Sequence, residues 1–304
     1  MLERYLRQVE LVAHVLPHVA AEECFAIKGG TAINLFELNL PRLSVDIDLT
    51  YLPMNGRDEA IAEINDALGR IATRLRKAGV STRVTGSAGL CKLHCDSEEA
   101  TIKVEPNYTL RGTAFPVRSL LTCGKVTAMT RMETEMQVLS FQELYGGKVC
   151  AALDRQHPRD LFDMAQFYKT HSLQEIKGGF LVLALGHNGQ LHELLAPNHK
   201  DQSTTFEQQF AGMADEPFSY EEHQATLARL AKDVRSLLDD EDRRRLLDFV
   251  SLSDERGAFG IPNFDDLPAI RWKRHNLELL KKSNPARFSL QREALERLFE
   301  IREV

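Results

Sequence analysis

Two aspartates one residue apart are the first residues of the chain whose spacing suggests chemistry. They are Asp46 and Asp48, in the segment SVDIDLTYL at residues 44–52. The alternation of polar and apolar residues is typical of a β-strand, so the two carboxylates share one face and the apolar side chains share the other. Neighbouring carboxylates repel each other, and a divalent cation such as Mg²⁺, which prefers oxygen ligands, relieves that repulsion. The pair therefore predicts either a metal site or a strand face exposed to water.

A glycine-rich turn precedes this strand. Gly29, Gly30 and Thr31 lie between CFAI, a short buried strand pattern, and AINLFEL, a short helix pattern. Small residues let the backbone approach an anion, and a helix N-terminus offers free N–H groups to phosphate oxygens. Thr31 either adds a hydroxyl hydrogen bond to that anion or caps the helix. Together with the carboxylate pair, the turn describes a site for a metal-bound nucleoside triphosphate.

A third carboxylate would be needed to bridge two metal ions or to deprotonate a hydroxyl group. The segment TIKVEPNY alternates as a strand does and places Lys103 and Glu105 on one face. Glu105 can therefore face the same pocket as the aspartates if the two strands are neighbours. The alternative is that Lys103 and Glu105 form an ordinary solvated pair.

A second polar cluster lies in ELYGGKVCAALDRQHPRDLFDM, residues 143–164. Lys148 stands at the edge of an apolar helical stripe, from which it could reach a triphosphate as a point charge. Asp160 falls in the first turn of a helix opened by Pro158, and Asp163 lies on a neighbouring face. Asp160 is either a site residue or a carboxylate that stabilises the helix N-terminus.

The predicted helices and strands that carry these residues divide the chain into two parts. A length of 304 residues with 43% hydrophobic content is enough for two packed domains. Residues 1–125 read as a mixed α/β domain that opens with a helix pattern over 2–20, in which Pro17 ends the pattern or starts a turn. Residues 126–304 read as a helical domain, with residues 196–218 as a mobile polar loop.

Charge and cysteine content limit the functional classes. The formal net charge of −6 restricts any nucleic-acid contact to local basic patches. Residues 270–304 carry nine Lys or Arg against five Glu, which predicts either a groove for an RNA backbone or a solvated helix pair. Five scattered cysteines do not form a disulfide framework and suit a reducing, cytoplasmic location. The sequence shows neither a signal peptide pattern nor an apolar run of the ~20 residues that span a bilayer.

The order of these motifs resembles a known superfamily. A G-G-T turn, a helix, the D-x-D strand and a distant acidic residue on a strand are similar to the polymerase-β-type nucleotidyltransferases. More narrowly, KGGTAINLF, RLSVDIDL and ELYGGKVCAALDRQHPRDLFDM resemble the AbiEii/AbiGii nucleotidyltransferase toxins, the toxic halves of bacterial abortive-infection and toxin–antitoxin systems.

The resemblance implies an α+β fold and a set of site residues. It implies a polymerase-β-like mixed sheet with flanking helices over residues 1–125, and a helical domain over 126–304 that completes the nucleotide site. The implied nucleotide-binding residues are Gly29, Gly30, Thr31, Ser44 and Lys148. The implied catalytic residues are Asp46, Asp48, Glu105, Lys148 and Asp160, with Asp163 as the alternative to Asp160. The implied ligands of two Mg²⁺ ions are Asp46, Asp48 and Glu105.

The resemblance also implies an activity. A nucleoside monophosphate from an NTP, with a pyrimidine NTP as the implied donor, would pass to an acceptor hydroxyl at the tRNA 3′ end with release of pyrophosphate. A cognate antitoxin would neutralise the toxin. Three alternatives stay open: transfer to a protein hydroxyl, a D-x-D glycosyltransferase, and a nucleotide-binding module without catalysis.

Overall fold

The protein is described by a computed structural model that covers residues 3–87 and 89–300. The chain forms two compact units. The first contains the residues up to Ser140 together with Glu207–Phe218, and the second contains Phe141–Phe206 together with the residues from Ser219 onward. The boundary expected at residue 125 therefore lies inside the first unit.

The first unit carries a sheet with helices around it. In chain order it contains α1 (Glu3–Ala20), β1 (Phe25–Lys28), α2 (Gly29–Ala32), a π-helical turn (Ile33–Glu37), β2 (Asp46–Tyr51), α3 (Arg57–Lys77), β3 (Ser81–Ser87), β4 (Leu90–Asp96), β5 (Thr101–Asn107), β6 (Arg118–Leu121), α4 (Gly124–Thr130) and β7 (Glu135–Val138).

The seven strands form one mixed sheet in the order β3-β4-β5-β2-β1-β7-β6. β2 lies at its centre, where it pairs antiparallel with β1 and parallel with β5. Apolar residues from alternate positions of these strands, such as Ile47, Leu49 and Val104, are fully buried. A mixed sheet with flanking helices, followed by a helical unit, confirms the α+β class.

The sheet continues beyond residue 125 because β7 joins it. β7 pairs parallel with β1 at Ile27 and Val138, and antiparallel with β6. Its four residues are too few to show a periodic pattern, so no strand could be predicted there.

Residues 207–218 also return to this sheet unit. The Leu43 N–H donates to the Met213 carbonyl over 2.8 Å, and the Asp215 N–H donates to the Pro41 carbonyl over 2.9 Å. Phe210 and Met213 are buried. The expectation of a mobile loop over 196–218 is therefore wrong, because two apolar anchors and a backbone pairing fix part of the segment.

Helix α1 runs through Pro17 and ends at Ala20, so the expected end at Pro17 is also wrong. Leu16 and Val19 have no exposed surface, and this packing holds the last turn despite the missing N–H of the proline. Leu2 lies outside the described residues.

The chain after Ser140 is helical. It contains α5 (Phe141–Arg155), α6 (Pro158–Phe167), a 3-10 turn (Leu173–Ile176), α7 (Lys177–Leu185), α8 (Leu191–Leu195), α9 (Ser203–Gln209), α10 (Tyr220–Leu237), α11 (Asp240–Ser251), a second 3-10 turn (Phe264–Asp266), α12 (Pro268–Ser283) and α13 (Pro285–Glu300). Within residues 3–87 and 89–300, no helix has both the length and the apolar composition that a membrane span requires.

Glycines allow α5 and α7 to meet at backbone distance. A Cβ atom added at Gly146 would lie 2.5 Å from the backbone of Gly179 and Phe180, and one added at Gly179 would lie 2.1 Å from the Gln142 carbonyl oxygen. Backbone atoms cannot move aside as a flexible side chain can. The helix that carries Lys148 is thus fixed by a contact that only glycine permits.

We expect Gly146→Ala to destabilise the protein by about 1–3 kcal/mol through overpacking, even though alanine favours helix. Gly147→Ala is the matched control, because an added Cβ there meets only the Leu183 side chain at 3.8 Å. The control is expected to be neutral or to raise stability by up to about 1 kcal/mol. The measurement is the thermal unfolding midpoint of each variant. Equal midpoints for Gly146→Ala and Gly147→Ala would contradict the close contact between α5 and α7.

Candidate functional site

Strand register brings the predicted carboxylates together on one face of the sheet. Asp48 lies opposite Glu105 on β5, and Asp46 lies opposite Lys103 on the same strand. Directly paired residues of neighbouring strands point to the same side, and so do residues two apart on one strand. Asp46, Asp48 and Glu105 therefore share a face, as the sequence predicts.

Lysines alternate with these carboxylates. Lys28 on β1 lies opposite Asp48, and the Lys92 ammonium on β4 donates to Glu105 Oε1 over 3.1 Å. The row Lys28, Asp48, Glu105, Lys92 therefore crosses four adjacent strands with the two cations at its ends. These positions of Lys28 and Lys92 could not be predicted, because strand register is not visible in a single sequence.

Gly29 fixes the position of Asp48 through close packing. Its φ of +72° lies in the left-handed region, and a Cβ atom there would lie 2.6 Å from Asp48 Oδ2 and 3.3 Å from Asp48 Cβ. Only glycine can adopt this φ without strain and also leave room for the Asp48 carboxylate. The glycine turn and the carboxylate pair are therefore in direct contact.

Gly30 packs against a buried cation. A Cβ atom at Gly30 would lie 2.6 Å from Arg42 Nη2 and 3.0 Å from Ser44 Oγ. Arg42 is 2% exposed, and its Nη1 donates to the Leu43 carbonyl over 2.9 Å. The sequence motif contains Arg42, but nothing in residue spacing indicates that it lies against the glycine turn.

Thr31 and Ser44 support the start of β2. Thr31 has no exposed surface, and its hydroxyl donates to the Asp46 carbonyl oxygen. The Thr31 and Ser44 hydroxyl oxygens are 3.0 Å apart, and since each hydroxyl has one proton, Ser44 donates to Thr31. No side-chain cap is present on α2, so Thr31 is not a helix cap. Its observed contacts position the backbone of Asp46, and nucleotide binding by Thr31 and Ser44 stays a prediction.

The carboxylates fit the smaller donor set that Mg²⁺ takes from a protein. The described part of the chain contains no group of three or more His, Cys, Asp or Glu residues that could hold a metal ion. Mg²⁺ is commonly held by one or two carboxylates, with its other ligands supplied by substrate phosphates and water. Asp46 and Asp48 are two such carboxylates, and Glu105 on the same face pairs with Lys92. Metal binding by these three residues stays a prediction.

The second predicted cluster is a buried ion-pair group within the helical unit. Lys148 Nζ lies 2.9 Å from Asp160 Oδ1 and 2.8 Å from Asp163 Oδ2. The Lys148 side chain is 4% exposed, and those of the two aspartates are at most 1% exposed. Both candidates for the functional aspartate therefore contact the lysine. A phosphate contact of Lys148 stays a prediction.

Arg155 completes the charge balance of this group. Its Nε and Nη2 donate to Asp160 over 2.5 and 2.9 Å, while its own side chain is 60% exposed. Burial alone would raise the pKa of Asp160, but the Lys148 ammonium and the Arg155 guanidinium outweigh burial and hold that pKa well below its usual range. Asp160 is therefore ionised at neutral pH and a weak base.

The basic C-terminal segment uses part of its charge internally. Arg274 pairs with Asp254 over 2.6 Å and with Asp265 over 3.0 Å, and Arg271 pairs with Asp266 over 2.6 Å. Residues 301–304, which include Arg302 and Glu303 of that segment, lie outside the described residues. The cations left for a nucleic acid are thus fewer than the sequence count indicates.

The fold formed by this sheet and these helices is similar to that of a solved nucleotidyltransferase toxin. Over 91% of its length the chain matches 93% of MenT4, a nucleotidyltransferase toxin from Mycobacterium tuberculosis H37Rv, with a TM-score of 0.59 and 17% sequence identity. No curated protein sequence matches the chain significantly.

Residues 10–294 match the model of the nucleotidyl transferase AbiEii toxin family, type IV toxin–antitoxin systems. The chain belongs to this AbiEii family. It is therefore a nucleotidyltransferase toxin of a type IV toxin–antitoxin system, which implies an NTP substrate and a cognate antitoxin.

We expect Gly29→Ala to lower nucleotidyl transfer at least tenfold, because the added methyl displaces the Asp48 carboxylate. A left-handed alanine also costs about 1–2 kcal/mol in stability. Gly56→Ala is the control, since no heavy atom lies within 4 Å of its added Cβ. The measurement is the initial rate of label transfer from an α-labelled NTP. A wild-type rate in Gly29→Ala would contradict the positioning role of Gly29.

Asp160→Asn should lower the free energy of unfolding by roughly 2–3 kcal/mol at pH 7, because a charged hydrogen-bonded partner is lost. The folded pKa of Asp160 is depressed, so its contribution is complete above the unfolded pKa of about 3.9 and declines as the pH falls through the folded pKa. Urea unfolding at pH 7 and at successively lower pH should therefore show a shrinking difference from wild type. Glu98→Gln, at an exposed position, should change stability by less than about 0.5 kcal/mol. A difference that does not depend on pH would refute the ion-pair account.

Proposed function

We propose that Asp46 and Asp48 hold Mg²⁺ against the phosphates of a nucleoside triphosphate, and that the Gly29–Thr31 turn contacts the phosphate tail. The observation that carries this proposal is the packing of Gly29 on the Asp48 carboxylate. A phosphate bound by backbone N–H groups of the turn would lie beside the carboxylates that receive the metal. When bound, Mg²⁺ would neutralise phosphate charge that the carboxylates would otherwise repel.

The transfer step needs a base for the acceptor hydroxyl. The hydroxyl oxygen attacks the α-phosphorus, the bond from that phosphorus to the bridging oxygen of the β-phosphate breaks, and pyrophosphate leaves. Glu105 is the better acceptor of the hydroxyl proton, because its side chain is 34% exposed and shares the face of Asp46 and Asp48. Asp160 is buried and its pKa is held low by Lys148 and Arg155, so it is a poor base.

Positioning and charge neutralisation should account for most of the rate, since nucleotidyl transfer requires little covalent work from the protein. Lys92 contributes by holding Glu105 in place over 3.1 Å. Lys28, opposite Asp48, adds positive charge to the same row. This arrangement supports catalysis over a merely nucleotide-binding module, because a proton acceptor and a metal-binding pair occur on one face.

For the acceptor, we propose the 3′ end of tRNA, with a pyrimidine NTP as donor. The family resemblance of the motifs supports this choice, and so do the exposed cations of α12 that remain after internal pairing, such as Lys281 and Lys282. A protein hydroxyl is the second candidate acceptor.

Incubation with each α-labelled NTP, offering total tRNA and total cell protein separately, tests the proposal. We expect label to enter tRNA from a pyrimidine NTP, to vanish with a metal chelator and to return with Mg²⁺. Asp46→Asn and Asp48→Asn should each lower labelling at least a hundredfold, because each removes a metal ligand. Asp58→Asn, at an exposed position on α3, is the matched control and should be fully active.

Label found only in protein would show that the acceptor is wrong while leaving the catalytic assignment intact. Full activity of folded Asp46→Asn or Asp48→Asn would show that the catalytic assignment is wrong. Circular dichroism of each variant establishes that it is folded.

A further inference from the structure

A cavity of about 180 Å³ lies entirely within the second unit. It is bounded by the turn at residues 186–190, by α12 and by the beginning of α13. Four of its lining residues carry amide side chains, which both donate and accept hydrogen bonds: Asn188, Gln190, Asn276 and Gln291. These side chains give the cavity hydrogen-bonding groups, and all of its lining residues belong to the second unit.

Trp272 also lines the cavity and is 50% exposed. It is the sole tryptophan in the sequence. A large aromatic side chain at the surface leaves apolar area in water that a planar ligand can cover by stacking. The His275 ring stacks with the indole ring of Trp272, and the two ring centroids are 5.8 Å apart.

Lys273 and Arg287 make the cavity electropositive. Among the described residues that line it, none is an aspartate or a glutamate. Lys273 Nζ donates to the carbonyls of His187 over 2.9 Å and Gly189 over 2.6 Å, which fixes the turn against α12. An ammonium has three N–H donors, so one is left for a ligand.

Arg287 differs from the other arginines of this segment. Arg271, Arg274 and Arg292 each pair with a carboxylate, whereas no ion pair within residues 3–87 and 89–300 involves the Arg287 side chain. Arg287 is exposed in the first turn of α13, beside Gln291 one turn later. A guanidinium there can bind a phosphate through two parallel hydrogen bonds.

These features together select a ligand that is planar, rich in hydrogen-bonding edges and anionic. We propose that this cavity binds an unpaired nucleotide, with its base stacked on Trp272, its base edges bonded to the surrounding amides and its phosphate bound by Arg287. Stacking on an aromatic side chain combined with a nearby cation is the common way in which proteins bind single-stranded nucleic acid. The site lies outside the catalytic face and does not depend on the acceptor proposed above.

The fluorescence of Trp272 reports binding directly, because the chain has no other tryptophan. The probes are the four ribonucleoside 5′-monophosphates and a single-stranded RNA hexamer, titrated into the full chain with correction for their absorbance. We expect saturable quenching of the Trp272 emission. Quenching by monophosphates and hexamer alike identifies a free-nucleotide site, whereas much tighter quenching by the hexamer identifies a site for a residue of an RNA strand.

Substitutions distinguish nucleotide binding in this cavity from nucleotide binding elsewhere on the protein. Arg287→Ala should weaken binding about tenfold, because it removes a charged contact to phosphate. Gln291→Ala, a second variant, should weaken it severalfold. Lys232→Ala is the matched control, since it removes an exposed cation of α10 that does not line the cavity, and it should bind as wild type does.

The same titration in Asp46→Asn should retain the quenching, because Asp46 belongs to the catalytic face and not to this cavity. The absence of saturable quenching by every probe would overturn the proposal. Quenching that is unchanged in both Arg287→Ala and Gln291→Ala would overturn it too, and so would quenching that disappears in Asp46→Asn. None of these outcomes bears on catalysis, which the labelling of acceptors measures separately.

Discussion

Repulsion between carboxylates is the constraint on which the first unit depends. Asp46, Asp48 and Glu105 share one face of the sheet, with Asp48 directly opposite Glu105. Such a cluster is tolerable only where opposite charge compensates it. The fold supplies part of that charge through Lys28 and Lys92 at the ends of the same row. A bound Mg²⁺ ion, as proposed above, would add further positive charge beside the two aspartates.

In the second unit, side-chain cations of the protein compensate the charge of the carboxylates. Lys148 contacts two buried aspartates, and Arg155 adds a second cation to Asp160. The glycine contact between α5 and α7 holds the helix of Lys148 at the required place. Buried ion pairs contribute little net stability, yet removing one partner is strongly destabilising. Loss of activity on substitution of Lys148 would therefore be informative only alongside a measurement of folding.

Local patterns made most of the helices and the carboxylate face predictable, because periodicity fixes which residues share a face. Alternation placed Asp46, Asp48 and Glu105 correctly, and the motif around Lys148 pointed to both Asp160 and Asp163. The contacts that could not be predicted from the sequence are non-local. β7 is too short to show a pattern, and residues 207–218 join the first unit through backbone pairing with residues 41–43. Two contacts in the site are non-local as well. Lys92 donates to Glu105, and the Thr31 hydroxyl donates to the Asp46 carbonyl oxygen, and neither could be predicted from the sequence.

The proposed function depends on the binding of a metal–nucleotide complex by Asp46 and Asp48. Calorimetric titration of a non-hydrolysable α,β-methylene NTP, with and without Mg²⁺, tests it most directly, because binding is measured without the transfer step. We expect the analogue to bind the wild-type chain only in the presence of Mg²⁺. This binding should be lost in Asp48→Asn and retained in Asp58→Asn. Equally tight binding of the analogue to wild type and to folded Asp48→Asn, with or without Mg²⁺, would contradict it.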